Sequence, residues 1–146
     1  MSVFLGIDTS NYTTSAALYD TGDDCVVMEK QLLPVKSGEL GLKQSDAVFQ
    51  HVKQLPQLLE QLFDKYRTSV AGVGVSVTPR RIEGSYMPCF LVGNSVASSI
   101  SSALSVPKYE FSHQEGHIMA ALYSAGHLEL LQDEFYAFHL SGGTTE

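Results

Sequence analysis

Val3-Phe4-Leu5-Gly6-Ile7-Asp8-Thr9-Ser10-Asn11-Tyr12-Thr13-Thr14-Ser15-Ala16-Ala17-Leu18-Tyr19 opens the chain and decides its fold class. Val3 to Ile7 is a short apolar run closed by Asp8-Thr9-Ser10-Asn11, which reads as a strand entering a polar turn. Thr13 to Tyr19 reads as a second strand. Asp20-Thr21-Gly22-Asp23-Asp24 makes another turn before a third strand, Cys25 to Leu33. Strands so close in sequence are expected to pair as an antiparallel meander.

Downstream the period changes. After a loop at Ser37-Gly38-Glu39-Leu40-Gly41, apolar residues recur at three and four from Ser45 to Tyr66 (Val48, Phe49, Val52, Leu55, Leu58, Leu59, Leu62 and Phe63). This is the stripe of a long amphipathic helix. Pro56 is expected to kink or split it. Ser69 to Val77 reads as a buried parallel strand, because a helix precedes it. A polar loop, Thr78 to Met87, leads into a helix rich in small residues, Phe90 to Leu104. Then come a fifth strand, Val106 to Phe111, a third helix, Gln114 to Ala125, and a last strand, Glu134 to Leu140. Three antiparallel strands followed by alternating helices and strands make a mixed α/β layer.

The 146 residues suit one domain or one lobe of a larger protein. Apolar residues make up 44% and charged residues 17%, enough for a core and too few charges for a disordered chain. A formal net charge of −7 argues against a nonspecific grip on nucleic-acid phosphates. Cys25 and Cys89 suggest no disulfide framework; both read as packing residues, and a reducing cytoplasm is the expected location. The N-terminus has no basic region followed by a long apolar run, so no signal peptide or membrane span is expected.

Chemistry concentrates in His113-Gln114-Glu115-Gly116-His117. Histidines four apart on a helix share a face and can grip one divalent metal ion. A metal of the zinc or iron kind wants a third protein ligand as well. Among the other histidines, His51 is expected at the surface or core edge, and His127 and His139 lack partners at metal spacing. The turn Asp8-Thr9-Ser10 offers N–H groups and hydroxyls to a phosphate, with Asp8 placed to hold a metal or a water. Its alternative is an Asx-type hairpin turn that binds nothing. Ser141-Gly142-Gly143-Thr144 repeats the form of strand, glycine pair and hydroxyls, which lets a backbone approach phosphate closely. Arg80 and Arg81 are further candidate anion contacts, or members of a solvated loop.

Leu5-Gly6-Ile7-Asp8-Thr9-Ser10, His113 to Ala121 and Leu140 to Thr145 occur in this order and together resemble the tRNA threonylcarbamoyladenosine synthesis enzymes, long labelled glycoproteases or O-sialoglycoprotein endopeptidases. The resemblance implies a two-lobed actin-like ATPase (ribonuclease H-like) fold, with a five-stranded mixed sheet in this lobe. Residues 1–130 would form the N-terminal lobe, and residues 131–146 the first strand and glycine loop of a second. It further implies a divalent iron or zinc ion held by His113 and His117, an adenine nucleotide near Ser141, Gly142, Gly143 and Thr144, and threonylcarbamoyl transfer to adenosine in tRNA. The remaining carboxylate ligand would belong to the second lobe, so no catalysis is expected from this chain alone. Expected partners are a second copy or a related actin-like paralogue, with tRNA reached through other lobes or partners and no membrane involved.

Three departures point to a divergent paralogue. The opening turn lacks the family's acidic end, the loop after the fourth strand is longer and carries two arginines, and Thr144 stands where the family has histidine. Two alternatives follow: a non-catalytic partner of an active homologue, and a metallo-glycoprotease. For the latter, the Glu that zinc proteases place next to the first His is missing.

Overall fold

The computed structural model describes residues 1–10, 12–35 and 41–140. Its elements are β1 (Val3–Ser10), β2 (Thr13–Asp20), β3 (Cys25–Leu32), α1 (Gln44–Lys65), β4 (Gly72–Thr78), α2 (Phe90–Leu104), β5 (Lys108–Ser112) and α3 (His113–Ala125), followed by a short 3-10 turn over Leu128–Gln132. The five strands form one sheet in the order β3-β2-β1-β4-β5. β1, β2 and β3 pair antiparallel as the meander predicts, while β1–β4 and β4–β5 are parallel. The fold is the ribonuclease H-like, actin-like ATPase lobe.

Alternation along β1 separates two faces. Val3, Leu5, Ile7 and Thr9 are buried, while Phe4, Gly6, Asp8 and Ser10 are half-buried on the opposite side. The buried side joins Ala16 and Leu18 of β2 and Val73 and Val75 of β4 to Leu55 and Leu62 of α1 and to Val92 and Ala97 of α2. Such apolar burial is worth about 25 cal/mol per Å² and is the main force holding both helices to the sheet. α3 crosses the other side. Near its start His113 meets Asp8, and near its end the Tyr123 ring packs edge-on against Tyr19 at 6.0 Å.

The structure corrects three local expectations. Pro56 does not split α1, which runs unbroken for 22 residues. Both Pro56 and Val52, whose carbonyl loses its helical donor, lie on the exposed side, where water can satisfy that carbonyl. The inward stripe of α1 is also rotated from the simple apolar pattern. Phe49 and Val52 are 62% and 54% exposed, whereas His51 is fully buried and Gln54 nearly so. Polar partners explain the inversion: the Thr14 hydroxyl donates to Gln54 Oε1 (2.8 Å) and meets His51 Nδ1 (2.7 Å), and His51 Nε2 meets the Ser10 carbonyl (2.8 Å).

The expected strand over Glu134–Leu140 does not form. Residues 134–139 adopt no regular structure, and Leu140 makes a single isolated bridge. A strand needs a neighbour to satisfy its backbone groups, and no described segment supplies a ladder there. Cys25 is exposed, while Cys89 is buried as a packing residue should be. Among the described residues, no helix is long and apolar enough to cross a membrane.

The small residues of α2 serve close packing at one point in particular. A Cβ on Gly93 would sit 2.8 Å from Thr9 Oγ1 and 3.4 Å from Ile7 Cγ2. Gly93→Ala is therefore expected to destabilise the fold by about 1–3 kcal/mol through overpacking. Gly116 in α3 has no atom within 4 Å of its Cβ position. Gly116→Ala should stabilise by about 0.5–1 kcal/mol, by removing the backbone entropy of a helical glycine. Urea denaturation of both variants checks the opposite signs.

Candidate functional site

The site is built where β1 ends and α3 begins. Ser112, the last residue of β5, is buried and caps α3: its hydroxyl accepts the Glu115 N–H (3.1 Å), and Glu115 Oε2 accepts the Ser112 N–H (2.6 Å). This capping box, Ser-x-x-Glu, makes His113 the first residue of the helix. The parallel register runs Val75↔Glu110 and Ser76↔Phe111, then shifts to Thr78↔Ser112. His113 thereby comes beside the end of β1.

There His113 Nδ1 lies 2.8 Å from Asp8 Oδ2, while Asp8 Oδ1 accepts the Ser10 N–H at 2.9 Å. The Asx-type turn and the functional contact thus coexist, one carboxylate oxygen serving each. Burial works to raise the Asp8 carboxyl. The hydrogen bond and charge of His113, with help from Ser76 and Ser10, outweigh it and hold the group below the ordinary carboxylate value. With Nδ1–H donated to Asp8, His113 turns its Nε2 outward. His117 Nε2 meets it at 2.8 Å, and the two ring centroids are 4.3 Å apart. Burial, then the neighbouring His113 and His139, lowers the His117 pKa and favours its neutral form, the form a metal ligand needs.

The helical spacing is therefore realised as one convergent pair. Tetrahedral zinc with Zn–N bonds of about 2.0–2.1 Å sets ligand nitrogens about 3.3 Å apart, so the pair, now at hydrogen-bond distance, would have to open by about 0.5 Å to hold an ion. The donor set suits divalent zinc or iron: two imidazoles, with a carboxylate fixing the tautomer of one from behind. Among the described residues, no three His, Cys, Asp or Glu side chains form a metal cluster. Sequence spacing missed His139, whose ring stacks on His117 with centroids 5.3 Å apart and planes 25° from parallel. The two are 22 positions apart along the chain, so only the fold joins them.

The other candidates divide. Thr9 is fully buried; its hydroxyl donates to the Cys89 carbonyl (2.9 Å) and accepts the Gly93 N–H (3.0 Å), so it clamps α2 to β1 rather than facing a ligand. Arg81 is committed to Glu115 and to the Glu110 carbonyl. Ser10 borders the turn and presents its carbonyl to His51. Arg80 is exposed, with its N–H donated to the Ser85 hydroxyl (3.1 Å). Asn11 and Ser141, Gly142, Gly143 and Thr144 lie outside the described residues. Burial pushes the Cys89 thiol up to about 11, which removes it as a nucleophile.

Comparisons with known proteins agree with the fold and with the family resemblance. The chain is 33% identical over 126 residues to a tRNA N6-adenosine threonylcarbamoyltransferase of Carboxydothermus hydrogenoformans, covering 81% of this chain and 34% of that protein. It is 28% identical over 158 aligned positions to the protein of the same name from Thermotoga neapolitana, covering 97% and 47%. A probable bifunctional tRNA threonylcarbamoyladenosine biosynthesis protein of Haloquadratum walsbyi is 27% identical over 124 residues, covering 84% of this chain and 23% of that protein. The chain thus spans less than half the length of these relatives. Among solved structures, YeaZ from Pseudomonas aeruginosa superposes with a TM-score of 0.61 at 19% identity, covering 86% of this chain and 50% of that one. No family model matches the chain.

Buried His51 and surface His117 both have lowered pKa values, the largest cause in each case being desolvation. The unfolded chain therefore binds more protons below the ordinary histidine value of about 6.5. Stability is complete above that pH and declines as pH falls toward the folded values. Asp8, also lowered, extends the decline into the acid carboxylate range. The melting temperature is expected to drop between pH 7.5 and 5, and His51→Gln should flatten this drop. An equally steep drop in the variant would remove His51 from the linkage.

Proposed function

The chain belongs to the tRNA threonylcarbamoyltransferase family, and from that premise we propose that it supplies the metal-binding lobe of a threonylcarbamoyl-transferring protein. The observation that carries this reading is the line Asp8–His113–His117, in which a carboxylate sets the tautomer of one imidazole and leaves two Nε2 atoms side by side. His113 and His117 would hold divalent iron or zinc. The ion supplies Lewis acidity toward a carbonyl oxygen when bound. The chain's own share is positioning. Asp8 keeps Nε2 of His113 directed outward, and desolvation with the neighbouring His113 and His139 favours the neutral form of His117.

Ser141, Gly142, Gly143 and Thr144 are proposed to approach the phosphates of an adenine nucleotide, with residues 131–146 beginning a second lobe. Ser10 and Arg80 are proposed anion contacts at the rim. Because the chain spans 34% of one relative and 47% of another, transfer to tRNA is proposed for a complete two-lobed protein rather than for this segment. A cytoplasmic location fits the tRNA substrate in the relatives' names.

A second reading, a non-catalytic partner, has one observation in its favour. α1 and α2 form an exposed apolar cleft of about 420 Å³ lined by Val52, Leu55, Pro56, Leu91 and Val96. Phe49 and Leu91 are 62% and 53% exposed on the same helices. Such a patch favours association with a second copy or an actin-like paralogue. The metallo-glycoprotease alternative gains no support, since Gln114 rather than Glu follows His113.

Two experiments separate these readings. The complete two-lobed protein, purified without a histidine tag, is expected to carry zinc or iron by elemental analysis, and His117→Ala to lose it; only background metal in the complete parent protein would sink the metal reading. Light scattering is expected to show a dimer that Leu91→Asp dissociates. A monomeric parent protein would count against self-association.

A further inference from the structure

The arginine-bearing loop after β4 is fastened to the first turn of α3. Arg81 Nε donates to Glu115 Oε1 (2.9 Å) and Oε2 (2.8 Å), and Arg81 Nη2 donates to the Glu110 carbonyl (2.7 Å). The Gln114 N–H donates to the Pro79 carbonyl (3.2 Å). The same Glu115 carboxylate closes the capping box on the Ser112 N–H. Loop and helix are thus joined on both sides of His113.

An exposed ion pair ordinarily adds little to stability, and both of these side chains are exposed, at 61% and 42%. α3, however, differs from an ordinary helix in one respect: none of its residues is buried. Half-buried Ile118 and Leu122 and the Tyr123 ring on Tyr19 give it only shallow apolar packing. Polar contacts therefore carry much of its placement: Asp8 to His113 and Arg81 to Glu115 at its start, and the Tyr123 hydroxyl to the Asp24 carbonyl (2.9 Å) near its end. We propose that Arg81 is a positioning residue that, through Glu115, sets where His113 and His117 present their Nε2 atoms. This rests on the metal reading above only for its functional consequence. It reassigns an arginine that looked like an anion contact to an internal carboxylate.

The test uses the chain with cobalt(II) alone, whose d–d absorption reports ligand geometry. Arg81→Gln and Glu115→Gln are each expected to weaken cobalt binding about three- to tenfold and to shift the d–d bands. Arg81→Lys should recover part of the loss, since it keeps the charge but not the planar fork. The double variant should be no weaker than Arg81→Gln, because that substitution already removes the Arg81–Glu115 contact along with the one to the Glu110 carbonyl. Independently of any metal, Arg81→Gln should speed amide exchange at Ser112 and Glu115 and weaken the ring-to-ring nuclear Overhauser effect between His113 and His117. If the parent chain binds no cobalt, the two histidines alone do not hold an ion, and these last two measurements still decide the clamp. Unchanged exchange, ring contact and cobalt spectrum in Arg81→Gln would overturn it.

Discussion

Asp8 is the residue through which strand, turn and site helix are joined. One oxygen accepts the Ser10 N–H and shapes the exit from β1; the other receives the Nδ1–H of His113, 105 positions away. The carboxylate can take both roles because its two oxygens offer about four lone-pair sites. Its burial would be costly without such partners. Their combined effect keeps its pKa below the ordinary value, so it stays ionised to lower pH than a free aspartate. Without the contact from Asp8, His113 could present either ring nitrogen outward, and the alignment with His117 Nε2 would no longer be specified.

The neighbouring residue shows how little sequence separates framework from function. Asp8 and Thr9 are adjacent, and strand alternation sends them to opposite faces. Thr9 goes to the helix-covered face. There its hydroxyl bridges the Cys89 carbonyl and the Gly93 N–H, and a side chain on Gly93 would collide with it. Asp8 goes to the face that α3 crosses. The first strand therefore anchors α2 with one residue and orients the site histidine with the next. The intervening sheet keeps the two contacts in fixed relation.

Much of this was legible in the chain before any coordinates. Apolar runs bounded by turn residues located the five paired strands, and the 3.6-residue stripe located α1; the small residues of α2 and the segment after β5 placed the other two helices. What failed was decided by contacts between distant residues. His51 and Gln54 look like outward residues of α1 until Thr14 and Ser10 are seen to receive them. Arg81 looks available until Glu115 is placed beside it. His139 has no local partner, yet its ring lies on His117. The segment at Glu134–Leu140 has a strand-like composition, but composition alone does not supply a neighbouring strand. The His113–His117 pair was readable because both members lie on one helix, where spacing and geometry coincide.

The helix carrying that pair is held differently from the other two. α1 and α2 are fixed by burial of Leu55, Leu62, Val92 and Ala97, and moving either would expose core. α3 buries none of its residues and has Gly116 between its two histidines, with open space around it. A helix retained by hydrogen bonds at its ends has little apolar area to lose on moving, so it belongs to the less stable part of the fold. Any ligand gripped by both His113 and His117 would spend part of its binding energy ordering this helix, and would stabilise the folded chain in proportion. Polar pins and low burial are thus compatible with a ligand site: they define a starting geometry while leaving the helix free to adjust by the few tenths of an ångström that coordination requires.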